Sequence, residues 1–190
     1  MPATGAPRLA PPRLILLCGL PGAGKTTLAR RLEAALPVVR LCPDEWLSEL
    51  SLDLWDDPLR TRLEAQLTRL ALSLLALGQS VVLEYGFWTR DERDLKRAEA
   101  RRVGAVIDLY YLDPPFEELW RRLSSRNQRH IQGMETGTVP ISRAELERYA
   151  ALIQRPDEAE FALFDRAARV ADARTFPIPL HPLAPHPIQP

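Results

Sequence analysis

The run Gly19-Leu20-Pro21-Gly22-Ala23-Gly24-Lys25-Thr26 fits the spacing G-x-x-x-x-G-K-[ST] in full. Glycines let a backbone curl until successive N–H groups point inward at phosphate oxygens. A helix opening near Gly24 adds the positive end of its dipole to the same anion. Lys25 can reach β- and γ-phosphates, and the Thr26 hydroxyl can ligate Mg²⁺. Gly19 to Thr27 is therefore the candidate nucleotide cradle. A plain glycine-rich turn would have a similar composition, but an apolar run precedes this one and a helical pattern follows, which is the context the motif requires. The guanine-reading string N-K-x-D is absent, so the expected ligand is ATP with Mg²⁺.

Three other features could do chemistry on a bound triphosphate. Asp44 follows the second apolar run, in CPDEW, and a carboxylate at a strand's carboxyl end can take the proton of a hydroxyl attacking the γ-phosphate. It could equally cap the helix that begins there. Glu84 follows SVVL, where a carboxylate can hold a metal-bound water or serve a buried ion pair. Arg121, Arg122, Arg126 and Arg129 form a cluster in which Arg122 and Arg126, four apart, share one helix face. Carried by a lid, they could neutralise the transferring phosphoryl group. The plain alternative is an exposed basic face.

These residues need elements to hold them. Leu14 to Cys18 reads as a buried parallel strand, and Thr26 to Leu36 as a helix with leucines four apart. Val38 to Cys42 is a second strand, and Asp44 to Leu50 begins a helix. Leu59 to Leu77 is a long leucine-faced helix stopped by Gly78. Ser80 to Leu83 is a third strand closed by Glu84, and Arg90 to Arg102 a charged, solvated helix. Ala105 to Leu112 is a fourth strand, and Phe116 to Ser124 opens a helix leading into a polar segment, Asn127 to Pro140, read as the lid. Ile141 to Gln154 is helical, with Ser142 and Glu145 forming a capping box. Arg169 to Ala171 is a short fifth strand. Alternating strands and helices imply a parallel sheet with helices on both faces, an α/β fold. In such sheets the strand carboxyl ends line the ligand crevice, which gathers the glycine loop, Asp44 and Glu84.

The chain has 190 residues, with 25 basic and 25 acidic side chains. One domain is expected over residues 13–176, with a loose arm at 1–12 and a proline-rich tail at 177–190. A balanced charge argues against non-specific coating of nucleic acid. No apolar run reaches the ~18 residues of a membrane span, and a cytoplasmic protein with reduced thiols at Cys18 and Cys42 is expected. Trp46, Leu47, Leu50, Leu52, Leu54 and Trp55, with Asp53, Asp56 and Asp57 among them and Phe87 and Trp88 after the third strand, are read either as apolar walls with a few carboxylates, suited to a neutral or cationic hydroxyl-bearing molecule, or as core packing.

Together, GLPGAGKTTLAR, Asp44, VVLEYGFWTRDER and YYLDPPFEELWRRLSSRN resemble the small P-loop kinases that phosphorylate hydroxyls of metabolites, antibiotics or nucleic-acid ends. Chloramphenicol phosphotransferase, the zeta toxins and the kinase domain of polynucleotide kinase belong to that group. The sequence is similar too to kinase-like ATP-binding proteins carrying the AAA name. The resemblance implies a P-loop NTPase three-layer sandwich with five strands in the order 2-3-1-4-5. It implies that Asp44 is the general base and that Arg122 and Arg126 act from the lid. Zeta toxins and polynucleotide kinase carry basic residues near the aspartate, whereas here Glu45 and Trp46 follow Asp44 and the next basic residue is Arg60. That argues against a phosphorylated or nucleic-acid substrate. The second, helical domain and sensor motifs of AAA ring machines are not found. The expected activity is phosphoryl transfer from ATP to a small-molecule hydroxyl. A nucleotide-hydrolysing switch and a nucleic-acid 5′-end kinase are the competing readings.

Overall fold

The computed structural model describes residues 10–134 and 139–179. Most of the expected arm and tail, and positions 135–138 of the expected lid, lie outside the described residues. Five parallel strands form one sheet in the order β2-β3-β1-β4-β5: β1 Arg13–Cys18, β2 Val38–Leu41, β3 Ser80–Gly86, β4 Val106–Leu112 and β5 Arg166–Val170. The central strand β1 is sandwiched between β3 and β4, and Leu14 to Cys18 are all buried, so the unbroken apolar run is what a strand covered on both faces requires.

Between the strands lie α1 Lys25–Ala35, α2 Pro43–Glu49, α3 Asp57–Ala76, α4 Arg90–Arg102, α5 Phe116–Ile131, α6 Arg143–Leu152 and α7 Glu158–Phe161. Helix α1 buries Leu28, Ala29 and Leu32. Helix α3 buries Leu67, Ala71 and Leu75, while Leu70 and Leu77 face outward, so the leucine spacing located the helix better than its inner stripe. Ser142 and Glu145 form the expected capping box on α6, and Thr89 and Glu92 form another on α4.

Four elements differ from the sequence reading. Helix α5 continues to Ile131, so the first part of the expected lid is helical. Strand β5 starts at Arg166, because Asp108 to Leu112 pair with Arg166 to Val170. Helix α4 is not simply solvated, since Arg93 is fully buried against Glu160 of α7, a short helix with no apolar period. Strand β3 runs two residues past Glu84. Its register against β1 slips by one residue, from Leu16↔Leu83 to Cys18↔Gly86, so Glu84 and Tyr85 lie in a bulged stretch. Bulges re-aim side chains beside functional sites. Cys18 and Cys42 are both free and buried, and burial pushes each thiol up to about 12. They are inert neutral residues, with β3 between the strands that lead to them.

Candidate active site

The glycine loop leaves the end of β1, where Gly19 N–H bonds Gly86 C=O at 3.0 Å. Gly22 has φ 80°, and a Cβ there would lie 3.0 Å from Leu123 Cγ. Only glycine lets the loop pass this close to α5. Gly24 is the N-cap of α1 at φ 102°, with no side-chain cap and no acid in the first turn. Every other described helix has one or the other. The first N–H groups of a helix have no partner inside it; in α1 they sit at the mouth of a curled loop. That arrangement fits a phosphate, the group the motif implies.

Lys25 is half-buried, and its Nζ donates to the carbonyls of Gly19 and Leu20 at 3.0 and 3.1 Å. Desolvation lowers its pKa, against the pull of Glu84 and Asp44. The Thr26 hydroxyl donates to Glu84 Oε1 in a short bond. The other oxygen of Glu84 accepts from Arg40 Nη1 at 2.9 Å. Glu84 thus makes the buried ion pair that the sequence offered as one alternative, and its other oxygen accepts from the loop threonine. Among the described residues no group of three or more His, Cys, Asp or Glu side chains is arranged to hold a metal ion. Mg²⁺ does not need one, because it takes one or two protein ligands and fills its shell with water and phosphate oxygens. Thr26 and Glu84 suit that donor set.

Arg40 was not anticipated. A charge inside the short strand VVRL was the available signal, since a buried cation needs partners. Its guanidinium bonds Glu84, makes a short ion pair with Glu45 and lies 3.5 Å from Glu33. Burial raises the Glu45 carboxyl, but Arg40 and Arg30 outweigh it and hold it below the usual range. One side chain therefore joins the loop's threonine, through Glu84, to the first turn of α2, which carries Asp44.

Asp44 occupies the second position of α2 and does not cap it; the N-cap is Cys42. Its carboxylate is 58% exposed and pairs with Arg60 Nη1 at 2.6 Å. It borders the same cleft as Lys25 and Thr26, a cavity of about 1350 Å³. Arg122 is held by Glu118 at 2.8 Å and places Nη1 3.4 Å from the carbonyls of Gly22 and Ala23. Arg126, a turn later, contacts Val139 C=O at 3.5 Å. Arg121 turns outward onto Glu118, and Arg129 bonds Ser125. All four arginines border the cleft.

The aromatic segment divides. Phe87 is buried, at φ 46°, and stacks on Tyr85 with ring centres 5.3 Å apart. Trp88 donates Nε1–H to Gly19 C=O at 3.3 Å and packs on Tyr149 of α6. Arg93 fixes this corner by donating to Phe87 C=O and Gln154 C=O, both at 2.9 Å. Leu54 and Trp55 border the cleft, Leu47 is core, and Trp46 and Leu50 are exposed.

A family model described as an AAA domain matches residues 14–156. A nucleotide-binding protein of Anaeromyxobacter sp. (strain K) is 33% identical over 138 residues, 69% of this chain; the chain spans 40% of that relative's length. The fold is similar to a chain of the Pnkp1/Rnl/Hen1 RNA repair complex, with a TM-score of 0.64, 22% identity, and coverage of 92% of this chain and 51% of that one. It is similar also to the Mycobacterium tuberculosis APS kinase in complex with AMPPNP and APS, with a TM-score of 0.58, 19% identity, and coverage of 87% and 93%. The fold is that of a nucleotide-binding, P-loop kinase-like protein. No described helix is long and apolar enough to cross a membrane.

Proposed function

The chain belongs to the AAA domain family, and on that premise we propose that it is an ATP- and Mg²⁺-dependent phosphotransferase acting on a hydroxyl of a small molecule. The observation that carries this reading is a single cleft bordered on one side by the glycine loop with Lys25 and Thr26, and on the other by Asp44. Likeness in fold to a kinase holding AMPPNP supports ATP as the donor.

In this reading the amides of Gly19 to Thr27 and the Lys25 ammonium bind and orient the triphosphate. Thr26 and Glu84 would hold Mg²⁺, which would supply charge neutralisation at the triphosphate. Asp44 accepts the proton of the acceptor hydroxyl as its oxygen bonds to the γ-phosphorus. The bond from that phosphorus to the β,γ-bridging oxygen breaks, and ADP leaves with the electron pair. Arg122 beside the loop, with Arg126 a turn behind, stabilises the charge on the transferring group. Arg60 orients the Asp44 carboxylate through their ion pair.

Asp44→Asn tests the reading. The amide keeps the size of the carboxylate, and the loop and Glu84 are untouched. ATP affinity should hold while transfer to an acceptor falls about 10²–10⁴-fold, the usual worth of general-base assistance. Transfer at the wild-type rate would move the base elsewhere, with Glu84 the next candidate.

A further inference from the structure

The charges that border the cleft are grouped by stretch of chain. The stretches 21–30, 121–129 and 172–174 contribute seven cations and one carboxylate to its lining. The stretches 42–64 and 84–92 contribute seven carboxylates and one arginine, Arg60. The cationic side suits a triphosphate. The acidic side is more than the proposed chemistry requires, since that asks for Asp44 and Glu84 alone. Arg40 compensates Glu45 and Glu84, and Arg60 closes on Asp44. Glu64 is left with the same Arg60 nitrogen at 3.9 Å.

Glu64 is half-buried on α3, and the Tyr85 hydroxyl donates to its backbone carbonyl at 3.4 Å. Glu92 borders the cleft from α4, where one carboxylate oxygen bonds Thr89 N–H. Burial first, then the like charges of Glu92 and Asp44, push Glu64 up to about 7, although Arg60 and Lys96 pull the other way. A wall of one sign in a cleft concentrates ligands of the other sign, and the aromatic surfaces of Tyr85 and Trp55 also favour a cation. One Arg60 nitrogen touches Asp44 and lies near Glu64, so the gap between the two carboxylates is one that a small amino alcohol can span with a hydrogen bond at each end.

We propose that the acceptor is an amino alcohol, whose ammonium group is held by Glu64 and Glu92 while its hydroxyl meets Asp44; the assignment rests on the phosphotransferase reading above. Phosphorylated and carboxylated alcohols are repelled by the same wall. Neutral polyols can donate hydrogen bonds to it but lack the charge term.

The test uses the full chain with Mg²⁺ and AMPPNP. Glucosamine, ethanolamine and streptamine are titrated against their N-acetylated forms, glucose and gluconate, by calorimetry. The free amines should bind about ten- to a hundredfold tighter than the acetylated forms, the worth of one charge-assisted contact. Glu64→Gln should bring each pair within about threefold, leaving an exposed carboxylate's contribution, with AMPPNP stabilisation reporting that the variant is folded. Equal or tighter binding of glucose or gluconate overturns the inference, as does binding of none of the panel. ADP release with ATP is then measured for the amines that bind. Amines that bind without raising it above hydrolysis overturn the phosphotransferase reading and leave the cation site standing. Transfer to glucose in preference to glucosamine does the reverse.

Discussion

The two sides of the cleft are built by different means. The phosphate side is mainly backbone: a loop between β1 and α1, held by Gly19–Gly86 pairing and by the close approach of Gly22 to α5. The acidic part is side chains, drawn from α2, α3, β3 and α4 and joined by Arg40 and Arg60. A backbone site is determined by a short contiguous string and tolerates little change within it. A side-chain site is assembled from distant positions, each replaceable by another pair of compatible charge.

Substitutions can break that contrast. Lys25→Ala should have the largest effect, and on function alone. Turnover should fall by about a hundred- to a thousandfold, the cost of one preorganised donor to the transferring charge, with the unfolding midpoint nearly unchanged. A large loss of stability would mean that the contacts of Lys25 to Gly19 and Leu20 hold the loop together even without nucleotide. Arg40→Met attacks the seam between the two sides. Side chains of Arg40 and Glu84 are 9% and 4% exposed, and removing one partner of a buried pair costs about 3–5 kcal/mol. Urea denaturation should show that loss. Adding Glu84→Gln should return most of it, since the cost lies in the unpaired charge; if the double variant is no better, Arg40 acts through Glu45 instead. Gly22→Ala should be mildest, about 1–2 kcal/mol for a left-handed residue gaining a Cβ, detected as a lower melting temperature. A neutral outcome would show that α5 yields, and that the loop is less tightly fixed than the phosphate side requires.

The same contrast explains what the sequence made legible. The glycine loop, the five strands and the strand order were readable because each depends on local apolar pattern or a contiguous motif, or followed from the resemblance those motifs carried. Arg40 was not readable as a partner of Glu84, because residues so far apart in sequence meet only once β2 and β3 pair in a fixed register. Helix α7 was missed for the related reason that Glu160 is held by Arg93 rather than by an apolar face. The end of α5 was misplaced because polar residues from Asn127 onward resemble a loop, while helical propensity and the cap at Gln132 continue the helix. The ambiguity at Asp44 between helix cap and cleft carboxylate turned on a single position: Cys42 takes the cap, and Asp44 is free to meet Arg60.

Asn127 ties the last turns of α5 to the residues that lead into α6. Its side-chain amide donates to Ile141 C=O at 2.8 Å and accepts from Ile141 N–H at 3.2 Å, as a neighbouring strand would. The two ends of a 14-residue span are thus tied at its base. In polymer terms the ring is closed by one residue, and its closure entropy depends only weakly on contour length, with a doubling costing about 0.6 kcal/mol. Residues added between Gly133 and Val139 would lengthen the ring without moving Arg122, whose helix ends before it. A reporter inserted there is expected to leave the sheet and the glycine loop in place.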